Sequence, residues 1–136
     1  MPATETGRRL MDVPGVGPLL ASALVAAILD PAAFRSGRNL AAWIGLAAAE
    51  LQRRQGAPRG ITKQGDRYLR QLLIVGALAV VKYAQRNGTR RPWLVQLLAR
   101  RTTKVATVAL ANKTARIVWA IMSTGGTYRE PELQAA

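Results

Sequence analysis

Leu10-Met11-Asp12-Val13-Pro14-Gly15-Val16-Gly17-Pro18-Leu19-Leu20-Ala21-Ser22-Ala23-Leu24-Val25 is the stretch on which the fold turns. Leu10, Val13, Val16, Ala21, Leu24 and Val25 fall where two short helices joined by a tight turn bury them, with Pro14-Gly15-Val16-Gly17 as the turn. This is the pattern of a helix-hairpin-helix motif over residues 10–29. Its chemistry is specific. Glycine lets the hairpin backbone come close to a phosphate, and the N–H groups of the next helix start face the anion with the helix dipole behind them. Pro14, Gly15, Val16 and Gly17 are therefore candidate DNA contacts, of a kind that positions a duplex without reading its bases. A plain helix turn is the competing reading of the same residues, and the charge of the chain favours the phosphate one.

Outward from the hairpin, Leu19 to Leu29 predicts a helix closed by Asp30-Pro31, which cannot continue it. Leu40 to Leu46 predicts a short helix after the turn signal Ser36-Gly37, with Leu40 and Trp43 spaced to pack together. Ala47 to Gly60 carries Gly56 and Pro58, lacks an apolar period and reads as a loop. Asp66 to Gln85 predicts a central helix in which Gly76 marks a close crossing. Asn87-Gly88 is a turn signal. Pro92 opens the last segment, to Met122, as two helices or one bent one, ended by Gly125-Gly126. No alternating pattern is long enough for a strand. The expectation is an all-α protein with a flexible N-terminus (1–9), one compact helical domain (10–124) and a tail (125–136), since 136 residues give room for a single core.

Charge is the strongest compositional feature: 20 Lys and Arg against 7 Asp and Glu give a formal net of +13. Such a surplus on a short chain points to a polyanion, because each cation facing a phosphate releases a condensed counterion. Two clusters carry it. Arg53, Arg54, Arg59, Lys63, Arg67 and Arg70 occupy the loop and the following helix start, while Arg100, Arg101, Lys104, Lys113 and Arg116 lie in a run from Lys82 to Arg116 that has no acid. Unpaired like charges repel until a polyanion arrives. All of these residues are candidate DNA contacts.

Other classes find less support. The apolar runs Leu19 to Leu29 and Leu72 to Val81 are about half the roughly 20 residues a membrane span needs. No signal peptide is read at Met1 to Gly7, so a cytoplasmic, nucleoid-associated location is expected. There is no cysteine or histidine, hence no thiolate or imidazole ligand and no imidazole base. Asp12, Asp30 and Asp66 stand in separate segments where turn and capping roles account for them, so no metal site is read. Trp43, Trp93 and Trp119 have apolar neighbours at helical spacing and are expected in the core.

From Leu10 to Tyr128 the chain resembles the C-terminal domain of transposases of the insertion-sequence 110/116/902 family. The resemblance rests on Val13-Pro14-Gly15-Val16-Gly17-Pro18, Phe34-Arg35-Ser36-Gly37-Arg38, Ala41-Ala42-Trp43-Ile44-Gly45-Leu46, Gly60-Ile61-Thr62-Lys63-Gln64-Gly65-Asp66-Arg67-Tyr68-Leu69-Arg70 and Val108-Ala109-Leu110-Ala111-Asn112-Lys113-Thr114-Ala115-Arg116-Ile117, in family order. It implies a helical domain that supplies a nucleophilic serine beside an N-terminal RuvC-like domain, whose carboxylates hold a divalent metal, Mg by expectation. It also implies action on DNA as an oligomer, with a structured guide RNA in some members. No RuvC-like pattern and no cofactor site is read in these residues.

One departure matters. Between Gly45-Leu46 and Gly60-Ile61 the family has a segment of the form Asn-Ser-Ser-Gly-Gly-Lys holding the nucleophile, and this chain has no serine there. The family position falls at Leu51, Gln52 and Arg53. Back-translated with GC-rich wobble bases and shifted by one base, Ala47 to Arg59 reads Pro-Pro-Leu-Asn-Ser-Ser-Gly-Gly-Lys-Glu-Arg-Leu-Gly, which restores the family segment. The expectation is thus a DNA-binding transposase domain in a truncated or frameshifted, catalytically incomplete copy, acting as a homo-oligomer or with a full-length transposase. The alternative is a stand-alone, non-catalytic helix-hairpin-helix nucleic-acid-binding protein.

Overall fold

The protein is described from a computed structural model over residues 4–46 and 67–129. Among the described residues it is all-helical: α1 (Glu5–Leu10), α2 (Pro18–Ala27), a 3-10 turn (Pro31–Ala33), α3 (Gly37–Ile44), α4 (Arg67–Asn87), α5 (Pro92–Arg100) and α6 (Thr103–Thr124). Local chemistry sets most boundaries. Thr4, Ser36 and Thr102 cap α1, α3 and α6 by accepting the N–H of Gly7, Asn39 and Val105, which would otherwise lack a partner. Pro18 and Pro92 open α2 and α5, where a missing N–H costs nothing.

Two differences from the sequence pattern, and the choice of two helices over one bent helix from Pro92, have physical causes. A helix stands at Glu5–Leu10, within the expected flexible lead-in, held by the Thr4 cap and the burial of Gly7 and Leu10. α3 begins at Gly37, earlier than Leu40, because Ser36 serves as its cap. The segment from Pro92 breaks into two helices because Arg101 and Thr102 take extended backbone and Thr102 starts a new one.

α6 is the centre of the fold. Ala106, Leu110, Ala111, Ala115, Val118 and Ile121 are buried along it, and α4 and α3 pack on it most extensively. The central position expected for α4 belongs to α6 instead. α4 buries Leu69, Leu73, Ala77, Val81 and Ala84 at near-four-residue spacing but leaves Tyr68, Val75 and Tyr83 exposed, so it lies on the outside. The hairpin adds Leu10, Val13, Val16, Leu20, Ala21 and Leu24 to the same core. α6 is also the one described helix long and apolar enough to cross a membrane, with mean hydropathy 1.2 over its most apolar window. Half of that window is buried against the other helices, as a core helix requires.

The tryptophans divide. Trp93 and Trp119 are half-buried against the core, and the Trp119 indole donates to the Pro31 carbonyl at 3.1 Å, tying the 3-10 turn to α6. Trp43, expected inside, is 38% exposed. Leu40, Ala41 and Ile44 take the inward face of α3, so Trp43 lies against Phe34 instead, ring centroids 5.5 Å apart.

Candidate nucleic-acid interface

Between Arg67 and Arg129 the sequence holds no Asp or Glu. The cations of this half therefore meet no carboxylate from their own helices, and the fold distributes them over four places. At the α5–α6 junction Arg100, Arg101 and Lys104 are all exposed. A hydrogen bond of 2.8 Å from Gln85 Nε2 to Thr103 Oγ1 fixes the end of α4 to this junction. The three cations thus project from a braced corner.

At the start of α4, Arg67 is exposed and the half-buried Arg70 places its guanidinium against the Cα of Gly45. Gly45 ends α3 in the left-handed region (φ 99°), which glycine alone adopts readily. The cation thus sits where α3 presents its negative dipole end. It stands beside the point where the chain enters residues 47–66. Leu51, Gln52, Arg53, Arg54, Arg59 and Lys63 lie outside the described residues.

On α6, exposed Arg116 crosses Gly37 so closely that a Cβ on Gly37 would come within 2.8 Å of the Arg116 Cα. This brings Arg38, also exposed, to the same corner of the surface. Lys113 behaves differently. Its Nζ lies 4.5 Å from the centre of the Trp93 ring, and burial, together with the charge of Arg116, lowers its pKa below the ordinary 10.5. It is a packed cation more than a projecting one.

The fourth place is a groove of about 810 Å³, lined by Pro14 and Gly15 of the hairpin, Tyr83 and Asn87 of α4, and Arg90 and Arg91 of the following turn. The two glycines of the turn between α1 and α2 differ in their surroundings. Gly15 (φ 90°) is pressed against the backbone of Gly76, whereas a Cβ on Gly17 would meet nothing within 4 Å. Val16 is buried and its N–H donates to the Val13 carbonyl, which leaves neither group for a ligand. Of the four hairpin candidates, Pro14 and Gly15 line the groove and Gly17 is exposed at the start of α2, where it caps without a side-chain hydrogen bond. Arg90 and Arg91, two of the cations of the acid-free run from Lys82 to Arg116, line the groove as well. Their place within the acid-free run is the signal that points to them, but only the fold brings them to the hairpin.

Among the described residues no three Asp, Glu, His or Cys side chains come together as metal ligands. Asp30 has a local task, accepting the N–H of Ala32 at 3.0 Å.

The chain is 43% identical, over 98% of its length, to a putative transposase (y4pF/y4sB) of Sinorhizobium fredii, and covers 35% of that protein. It is 48% identical over 90% of its length to a probable family 20 transposase of Pseudomonas aeruginosa, covering 37% of it. With the transposase for insertion sequence element IS1111A of Coxiella burnetii it shares 39% identity over 93% of its length, covering 35% of that protein. The chain thus spans little more than a third of these relatives. No solved structure matches it. Residues 7–91, from α1 through the α4–α5 turn, match the family described as Transposase IS116/IS110/IS902, and the chain belongs to that family.

Proposed function

We propose that this chain is a DNA-binding helical domain serving transposition of an insertion sequence, and that it lacks the nucleophile for strand cleavage. The observation that carries the first part is the set of exposed cations at Arg67, Arg100, Arg101, Lys104 and Arg116, on helices without a single carboxylate. A phosphate backbone is the partner that such a surface neutralises. The binding is sequence-tolerant, because the cations meet phosphates and not base edges.

The second part rests on the sequence. Attack on phosphorus needs an activated hydroxyl with cations near the developing charge. Ala47 to Gly60 contains cations, Arg53, Arg54 and Arg59, but no Ser, Thr or Tyr. Thr62 belongs to the Gly60-Ile61-Thr62-Lys63 stretch that the family keeps apart from its nucleophile. The test is a chimera of this chain with the RuvC-like domain of a close relative, incubated with element-end DNA. No covalent protein–DNA adduct is expected, and replacement of Glu50 to Arg59 by Asn-Ser-Ser-Gly-Gly-Lys-Glu-Arg-Leu-Gly should restore one. An adduct from the unrestored chimera overturns the reading.

A further inference from the structure

The groove beside the hairpin combines an exposed aromatic ring, Tyr83, with an apolar floor and two arginines. Tyr83 is 67% exposed, although it projects from the last turns of a packed helix. Its surroundings are of two kinds. Pro14, Ala79 and Val80 form the floor, while exposed Arg90 and half-buried Arg91 stand on the turn side with Asn87. Among the described residues no acidic side chain lines the groove. An apolar floor has no use for a phosphate, and a duplex hides the faces of its bases. A splayed base, by contrast, offers a flat apolar face with a phosphate close by on the same nucleotide.

We propose that this groove seats an unpaired nucleotide of a single-stranded or locally opened nucleic acid, its base stacked on Tyr83 and its phosphate held by Arg90 and Arg91. The proposal rests on the nucleic-acid-binding reading above and assigns it a second mode, distinct from the duplex contacts of Arg100, Arg101 and Lys104. The position of the parts is held by the fold. Gly88 (φ 80°) closes α4 with a 2.7 Å hydrogen bond from its N–H to the Ala84 carbonyl, and the Arg91 N–H donates to Thr89 Oγ1, so the turn carrying both arginines has a defined path. Asn87 donates to the Tyr83 carbonyl at 3.3 Å and supports the final turn that carries the ring. DNA and RNA strands share the chemistry of base face and phosphate, and the experiment separates them.

The test uses the full chain at low salt, with fluorescence anisotropy on a thymidine oligomer, a uridine oligomer and a duplex of the same length. Tyr83→Ala should weaken the single-stranded complex by about fivefold or more, the lower end of what one base–aromatic stack contributes, while Tyr83→Phe keeps it and duplex binding changes little. With 5-iodouracil in the oligomer, irradiation should attach the strand to the peptide that contains Tyr83. Loss confined to the thymidine or the uridine oligomer names the strand. If Tyr83→Ala binds both oligomers as the unaltered chain does, or if the photoproduct maps elsewhere, the groove proposal is overturned and the duplex reading stands. If the unaltered chain binds neither oligomer nor duplex, the nucleic-acid reading fails and the proposal falls with it.

Discussion

The carbonyl oxygen of Gly15 lies against the Cα of Gly76, so that a methyl group at position 76 would collide with it. The α1–α2 turn and α4 thus meet backbone to backbone, beside the groove that Pro14, Gly15 and Tyr83 line. Backbone oxygen cannot turn aside as a side chain can. Gly76→Val should therefore destabilise the protein by about 1–3 kcal/mol, the usual cost of overpacking, seen as a fall of several degrees in the thermal midpoint. Gly17→Ala, in open space and at ordinary φ, should stay within about 0.5 kcal/mol of the parent. Equal melting of the two variants would contradict the crossing.

A Cβ at position 17 meets nothing within 4 Å, so Gly17→Val, with its fold checked by circular dichroism, isolates the start of α2 as a phosphate contact. If the N–H groups there face a duplex, the variant should bind all duplex sequences more weakly and to the same degree. Gel-shift titrations on unrelated duplexes measure this. Unchanged affinity would leave the hairpin a structural turn.

Trp119→Phe removes the indole donor while keeping an aromatic ring. The Pro31 carbonyl then loses its 3.1 Å partner, at a cost of about 0.5–1.5 kcal/mol. Urea denaturation should show a lower midpoint at an unchanged slope. A midpoint equal to the parent's would mean that the tie between the 3-10 turn and α6 contributes nothing.

The lowered pKa of Lys113 comes from burial first and Arg116 second. Between its folded value and 10.5 the unfolded chain holds this proton and the folded one does not, so stability rises with pH across that window. The Trp93 face pulls the other way by favouring the ammonium, which keeps the change small. In paired denaturation curves, the parent should gain on Lys113→Met as pH climbs toward 10.5. The opposite trend, with the parent losing ground as pH rises, would reverse the assignment.

Much of the fold is legible in the sequence because its punctuation is local. Pro18, Pro92 and Gly125 mark helix boundaries through their own backbone chemistry. Asp30-Pro31 opens the 3-10 turn beyond Ile28, where the helix it is expected to close has already ended, and Gly76 signals a close crossing without naming its partner. Which face of a helix the rest of the molecule covers is not local. Trp43 and Leu40 look alike in spacing, yet only Leu40 is inside, and the pattern of α4 suggests a central helix although α6 holds that place. The site divides in the same way. The cations stand out as an acid-free run, but the meeting of Arg90 and Tyr83 with Pro14 spans roughly seventy residues of chain and exists only once α4 has packed on the hairpin.

The central claim, that exposed cations on carboxylate-free helices bind a nucleic-acid backbone, is tested most directly by the affinity for duplex DNA across a salt series. Log affinity should fall linearly with log salt at a slope of about −0.9 per phosphate neutralised, little changed between duplex sequences. Replacing Arg100, Arg101 and Lys104 with Ala should make that slope shallower by about one for each phosphate that is no longer neutralised. A slope near zero, or a slope that the triple replacement leaves intact, would contradict the account.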